Sequence, residues 1–304
     1  MNSRVAPPFP PNPAFGDVFG NWVWSGSRWV CTNTNGIRIV TQVFPASAPY
    51  MPSPGLVTAV VECVGGGAGG GGALSSVPPS FTVEAWSCGG GGGGSGGYSR
   101  IALASGLVAG GVNVTIGAGG AGGPATVQTT GGAGGVTSFG ALCVANGGNG
   151  GGSNVSGAPS ALDPSVGYGG LGGGPGIGDV AVWGNSGGSG GTEVFNPNLA
   201  NSVVWGGFGG ASFFGSSPSG AVDLAQGGGI AGNNGTFGAG GSGAASAVNT
   251  RPAVGGVGGS GLCVVTEYCW ADVTDPGCGC GPTSGGARVA IGSQGWQGYG
   301  FDND

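Results

Sequence analysis

The clearest regular patterns along the chain are short strands. Leu56-Val-Thr-Ala-Val-Val-Glu-Cys-Val64 alternates within an apolar, β-branched run, and Tyr98–Ala104, Val112–Ile116, Val136–Ala145 and Leu262–Tyr268 share that character. Side chains repeat every two residues along a strand, and branched and aromatic residues favour it. Nowhere do apolar positions recur at a sustained helical period, so helices are expected to be few or absent. Nearer the N-terminus, Asp17–Trp24, a Ser25-Gly26 turn and Ser27–Cys31 spell a compact aromatic hairpin, followed by a strand at Ile37–Phe44. Pro45, Pro49, Pro52 and Pro54 mark a linker, while Pro7, Pro8, Pro10, Pro11 and Pro13 predict an extended arm suited to lying along a partner. The organisation expected is a proline-rich arm (1–14), a small aromatic β module (15–50), a glycine-rich domain (56–268) and a cysteine-containing tail (269–304).

Between the strands lie glycine blocks, beginning near Gly65, Gly89, Gly117, Gly131, Gly147, Gly169, Gly187, Gly206, Gly227, Gly238 and Gly255. Their spacing of roughly 19 residues is that of a stacked array. Many follow a Gly-Gly-X rhythm, as in Gly169-Gly-Leu-Gly-Gly173, Gly206-Gly-Phe-Gly-Gly210 and Gly255-Gly-Val-Gly-Gly259. In a left-handed threefold helix rising about 3.1 Å per residue, this rhythm puts every X on one ridge and leaves two ridges bare. Neighbouring chains can approach closely on the bare ridges. The backbone bonds nothing within such a helix, so its N–H and C=O groups must pair with neighbours or water. The fold class expected is all-β: a small N-terminal β module followed by a glycine-rich β-sandwich or polyglycine-II-like array.

Composition sharpens this picture. The 304 residues include 81 Gly and 20 Pro, a share that ordinarily signals disorder, yet 8 Trp, 12 Phe and 5 Tyr argue for an ordered, β-biased protein. Ordering so much glycine costs on the order of 40–80 kcal/mol beyond an alanine chain, so cross-links and oligomerisation are expected to supply added constraint. Charged residues are only 6 %, the net charge is -6, and neither His nor Lys occurs. Ser-His-Asp and Cys-His sites, His-ligated metals, Schiff-base lysines and the P-loop lysine are thereby excluded. Six scattered Arg against twelve acids supply no basic stripe for nucleic acid, and no apolar run approaches the roughly 20 residues that span a membrane.

The first residues carry no apolar signal core, which predicts synthesis in a cytosol. The chain nevertheless has eight cysteines: Cys31, Cys63, Cys88, Cys143, Cys263, Cys269, Cys278 and Cys280. All are candidates for disulfides formed after lysis, within or between subunits, and buried free thiols are the alternative. Within Cys263, Cys269, Cys278 and Cys280 the spacing matches no common zinc pattern. Gly65-x-Gly67-x-x-Gly70 follows a strand as a dinucleotide fingerprint does, but Pro78-Pro79 stands where its helix would run. Asp163, Asp179, Glu193 and Asp223 fall in separate loops and define no acid pair. No cofactor, metal or catalytic residue is therefore expected. The candidate recognition groups are Trp86, Trp183, Trp205 and Trp296, whose rings can stack on a sugar or a neighbouring subunit, or can simply cap a thin glycine core.

Taken in order, Val57–Gly67, Gly89–Ile101, Val112–Gly120, Gly134–Gly140 and Gly258–Tyr268 resemble the glycine-rich domain of bacteriophage tail-fibre and appendage proteins, and the Gly-Gly-X blocks are similar to the polyglycine-II sandwiches of phage adhesins. The resemblance covers about residues 56–268. It implies a non-enzymatic virion protein, commonly trimeric, that forms a fibre or tip and contacts other virion proteins and the host surface. The cysteines and the segment Cys269–Cys280 depart from that pattern and suit an architectural capsid-decorating, collar or cross-linking part instead. An ice-binding role would need a flat face of Thr or Ala, and the X positions are too varied for one.

Overall fold

The computed structural model describes residues 14, 18–19, 22–24, 29–31, 37–74, 88–126, 129–153, 165–194, 202–224, 228–247 and 251–270. Among them the chain is all-β, with a single 3-10 turn at Ser105–Leu107. It divides into two units, residues 1–36 with 271–304, and residues 37–270. In the first unit β1 (Val18–Phe19), β2 (Trp22–Trp24) and β3 (Trp29–Cys31) form an antiparallel meander that includes the expected aromatic hairpin. The arm, residues 1–13, and the tail beyond Trp270 lie outside the described residues.

The second unit opens with a β-sandwich. Its five-stranded sheet has the order β13-β8-β6-β18-β4, built from β4 (Ile37–Phe44), β6 (Leu56–Val64), β8 (Tyr98–Ala104), β13 (Val180–Val182) and β18 (Leu262–Trp270). The four-stranded sheet has the order β11-β10-β9-β5, built from β5 (Ala48–Tyr50), β9 (Val112–Thr115), β10 (Thr137–Phe139) and β11 (Cys143–Ala145). The alternation that marks β6 as a strand also decides its inner face: Ala59, Val61 and Cys63 point into a core with Tyr50, Leu103, Phe139 and Val265. Two expectations are corrected here. Residues 37–50 belong to this sandwich rather than to the aromatic module, because β4 pairs along its whole length with β18, and β5 pairs with β9 inside the supposed proline linker. Val136–Ala145 is a hairpin rather than one strand, turned at Gly140, whose φ of 53° is the left-handed region that favours glycine.

Seven of the nine sandwich strands adjoin a glycine segment: β6, β9, β11 and β13 lead into one, and β8, β10 and β18 follow one. In chain order these segments are I (65–72), II (90–97), III (117–124), IV (131–135), V (146–152), VI (167–174), VII (184–190), VIII (206–211), IX (230–236), X (239–244) and XI (254–261). Their hydrogen bonds repeat every third residue. In segment I the N–H groups of Gly65, Ala68 and Gly71 donate to II, those of Gly66 and Gly69 to IV, and those of Gly67 and Gly70 to XI. Its carbonyls accept from III, V and X with the same period. Segment II donates in turn to X, V and VII and accepts from I, VI and VIII. Each of the two therefore has six hydrogen-bonded neighbours, the arrangement of threefold glycine helices in a hexagonal lattice.

The lattice explains which blocks are pure glycine. A helix with six neighbours turns all three ridges inward, and residues 65–73 and 88–99 are buried without exception. A Cβ on Gly67 or Gly92 would collide with the carbonyl of Ala239 or Phe208. Rim helices keep one ridge outside, and their X residues, such as Ala118, Ala121, Leu171, Phe208 and Val257, are exposed.

At the end away from the sandwich, β7 (Cys88–Gly89), β12 (Ser165–Val166) and β17 (Ala245–Ser246) form one small sheet. A second comprises β14 (Gly191–Val194), β15 (Ser202–Trp205) and β16 (Val222–Leu224). The described residues that flank 75–87, 154–164, 195–201, 225–227 and 248–250 all lie at this end.

Candidate functional site

Helix VII runs between helices VI and VIII on the rim of the lattice, and its exposed side chains, Asn185, Ser186 and Ser189, are small and polar. The helices on either side carry large apolar ones. On VI, Tyr168 and Leu171 stand three residues apart on one ridge, and a Cβ at Gly174, the next position of that ridge, would lie 3.6 Å from two ring carbons of Trp183. On the other side the ring of Phe208 lies over Gly188 and that of Trp205 over Gly191. Because X positions on a threefold helix repeat at about 9 Å, the ridge from residue 168 to 174 is about 19 Å long. The result is a trough with a hydroxyl- and amide-bearing floor and apolar, largely aromatic walls.

At the sandwich end the trough deepens into a groove of about 360 Å³ lined by Tyr98, Val182, Trp183, Asn185, Ser212 and Phe213 among others. Tyr98 and Phe213 stack at 4.1 Å between ring centroids, and Phe214 braces Phe213 edge-on at 5.1 Å. The Tyr98 hydroxyl donates to Glu62 at 2.5 Å. Burial, and then that bond to the carboxylate, push the phenol above its ordinary range, so it stays neutral. Asn185 is fixed by its backbone N–H donating to the Ser95 hydroxyl at 2.8 Å and its side-chain amide donating to the Ala211 carbonyl at 2.9 Å. Ser95 is the only polar side chain of helix II, and it sits where the lattice meets this floor.

Two of the four candidate tryptophans belong to the trough: Trp183, 67 % exposed, and Trp205, 39 % exposed. Trp86 and Trp296 lie outside the described residues. Leu171 and Phe208 were legible as X positions, whereas Tyr98, Asn185 and Phe213 had no signal because Tyr98 lies more than 80 residues from the other two in sequence. The two described candidate carboxylates, Asp179 and Asp223, bond to separate parts of the chain. Asp179 accepts from the Ala102 N–H at 2.9 Å and Asp223, buried, from that of Ala247 at 2.9 Å. The side chain of Glu193, and Asp163 altogether, lie outside the described residues. In the dinucleotide-like Gly65–Gly70, the backbone N–H groups are already held by neighbouring carbonyls, so none is left to cradle a phosphate.

Five of the eight cysteines, Cys63, Cys88, Cys143, Cys263 and Cys269, are described, and all five are buried. Cys63 and Cys263 face each other across β6 and β18 in the core, with Sγ atoms 3.5 Å apart, and stand as thiols rather than as a disulfide, whose bond is about 2.05 Å long. Cys143 adjoins them, and its thiol donates to the Ser99 carbonyl at 3.5 Å. Hydrogen bonding with Cys63, together with burial, pushes the Cys143 thiol far above its ordinary range. Cys269 is a buried thiol as well, and Cys88 is buried in a small cluster with Ala73, Ala244 and Ala253. Cys278, Cys280 and the side chain of Cys31 lie outside the described residues. No group of three or more His, Cys, Asp or Glu placed to hold a metal occurs among the described residues.

A buried carboxylate had no forecast either. Glu267 takes an inward position of β18, where it accepts from the Tyr50 hydroxyl at 2.7 Å and from the Ser53 N–H at 3.0 Å and hydroxyl at 2.5 Å. Burial pushes its carboxyl up, but the bonds from Ser53 and Tyr50 outweigh this and hold it below the usual range.

Fold and site together define an all-β protein whose glycine lattice carries an uncharged aromatic trough. No known family profile matches the chain, and no curated protein matches it either.

Proposed function

We propose that the chain is a structural protein of a bacteriophage particle, a fibre or appendage subunit that contributes to attachment at the host surface. The observation that carries this reading is the pair of bare glycine helices, each hydrogen-bonded to six neighbours, whose rim presents exposed aromatic side chains on fixed backbone. Such a lattice holds side chains in place without a large apolar core, which suits a slender projecting part. The trough offers aromatic faces, hydroxyls and an amide, the groups of a binding surface.

In this reading the subunits are trimeric, made in the host cytoplasm and exposed after lysis. Residues 1–14 and the aromatic meander attach to other virion proteins. The protein uses no cofactor, binds no nucleic acid and does not insert in a membrane. A purely architectural role as a capsid-decorating, collar or cross-linking part is the second reading, favoured by Cys278 and Cys280 close together in the tail.

Gradient-purified particles, analysed by peptide mass spectrometry and labelled with antibody for electron microscopy, test both. The chain is expected in the particle at a projecting position. Label confined to the capsid or collar selects the architectural reading, and absence from the particle overturns both.

A further inference from the structure

From the trough along helix VII, we infer a binding site for an extended, neutral saccharide chain, an inference that rests on the attachment reading and gives it a ligand class. Three features of the site converge on that chemistry.

The first is charge. No charged residue occurs in 167–174, 184–190 or 206–211, the three helices that form the floor and walls. Among the described side chains near the groove, Glu62 accepts from Tyr98 and stands opposite Arg100 across β6 and β8, and Asp179 accepts from the backbone of Ala102. An anionic or cationic ligand would lose its hydration along these three helices and gain no partner of opposite charge from them.

The second is the alternation of surfaces. A pyranose has an apolar face of C–H groups and a rim of hydroxyls. Tyr168, Trp183 and Phe213 are 71 %, 67 % and 62 % exposed, so although Trp183 leans over Gly174 and Phe213 stacks on Tyr98, each ring leaves most of its surface open for stacking. Asn185, Ser186 and Ser189 lie beside them along the same 19 Å, placed to bond hydroxyls.

The third is what the backbone withholds. A peptide adding as a strand needs free N–H and C=O groups at every second residue, but helix VII donates from Gly184, Gly187 and Gly190 to VI, from Gly188 to VIII and from Asn185 to Ser95 of II, and leaves only the N–H groups of Ser186 and Ser189, three residues apart. A lipid surface would want an unbroken apolar face, and the polar floor interrupts this one. The lattice is also preorganised, so little ordering entropy opposes binding.

The test uses the full purified chain with neutral hexasaccharides of glucose, mannose, galactose and N-acetylglucosamine, and with an acidic uronic hexasaccharide. Saturation-transfer NMR and tryptophan fluorescence report the binding. Trp183→Ala and Tyr168→Ala remove exposed rings, and an unchanged melting temperature verifies that each variant folds. The expected result is saturable binding of at least one neutral chain, insensitive to salt and weakened about tenfold or more by Trp183→Ala.

Three results would each overturn the proposal: no neutral chain binds, only the acidic one binds, or both ring variants bind as well as the parent. Sedimentation of the same samples adds a fourth, since dissociation of an oligomer by Trp183→Ala would assign the trough to a second copy of the chain. This experiment is independent of the particle analysis. A chain absent from particles that still binds sugar refutes the virion reading alone, and a particle protein that binds none refutes this proposal alone.

Discussion

Replacing Gly70 by alanine places a methyl group where the lattice has no room for one. The new Cβ would collide with the carbonyl of Ser242 and lie 2.9 Å from the carbonyl oxygen of Gly241, both on helix X. Comfortable carbon–oxygen contact is about 3.5 Å, so helix X has to move by about 1 Å or more. Two bonds tie it to helix I there, from Gly241 to Ala68 at 2.8 Å and from Ala244 to Gly71 at 3.0 Å. Losing both costs about 1 kcal/mol each, and local overpacking adds about 1–3 kcal/mol. Alanine lowers the entropy of the unfolded chain and offsets about 0.5–1 kcal/mol. The net destabilisation is about 2–4 kcal/mol, or a melting temperature lower by about 5–15 °C. Gly106→Ala is the control, since nothing lies within 4 Å of its added Cβ, and it is expected to leave stability unchanged or slightly raised. Urea and calorimetric unfolding of the two variants against the parent decide the matter. A Gly70→Ala protein as stable as Gly106→Ala would refute the six-neighbour packing of helix I.

Other outcomes follow from the buried groups. Glu267 has a carboxyl held below its ordinary value of 4.5, so its contribution is fully present above that pH and is lost as the pH falls below it toward the depressed folded value. Stability against pH should therefore drop below about 4.5 in the parent and drop less in Glu267→Gln, which is itself destabilised by about 1–3 kcal/mol at neutral pH. An equal acid loss in both proteins would show that other groups govern it. Cys63, Cys143 and Cys263 should stay unreactive toward a thiol reagent in the folded protein and react once it is unfolded, as followed by peptide mapping. Disulfide-linked peptides joining any two of the three in freshly prepared protein would contradict the thiol assignment. At the groove, Phe213→Ala unstacks Tyr98, and a rise in phenol exposure by ultraviolet difference spectroscopy is expected without global unfolding.

The strands were legible because their alternation is a burial pattern. Leu56–Val64 and Tyr98–Ala104 were bounded in full, and β18 exceeds its forecast by two residues, Cys269 and Trp270. β5 was hidden by Pro49, whose missing N–H is tolerated because β5 is the edge of its sheet. The Gly-Gly-X ridges were legible too, but the distinction between rim and centre was not drawn. It was present in the letters: Gly65–Gly72 and Gly89–Gly97 contain only Ala68 and Ser95 besides glycine, as helices enclosed on every side require. The trough was half legible, since Trp183 and Trp205 stood out by type, while Tyr98 and Phe213 meet only through the lattice. Glu267 read as an ordinary strand residue, because sequence alone does not reveal that Tyr50 and Ser53 wait opposite it.

Amide hydrogen exchange resolved by residue tests the lattice most directly. The N–H groups of 65–72 and 90–97, enclosed and bonded every third residue to six neighbours, are expected to exchange last, at the rate of global unfolding and together with β6 and β18. Exchange of those glycine amides as fast as that of the turn residues 105–110 would contradict the account.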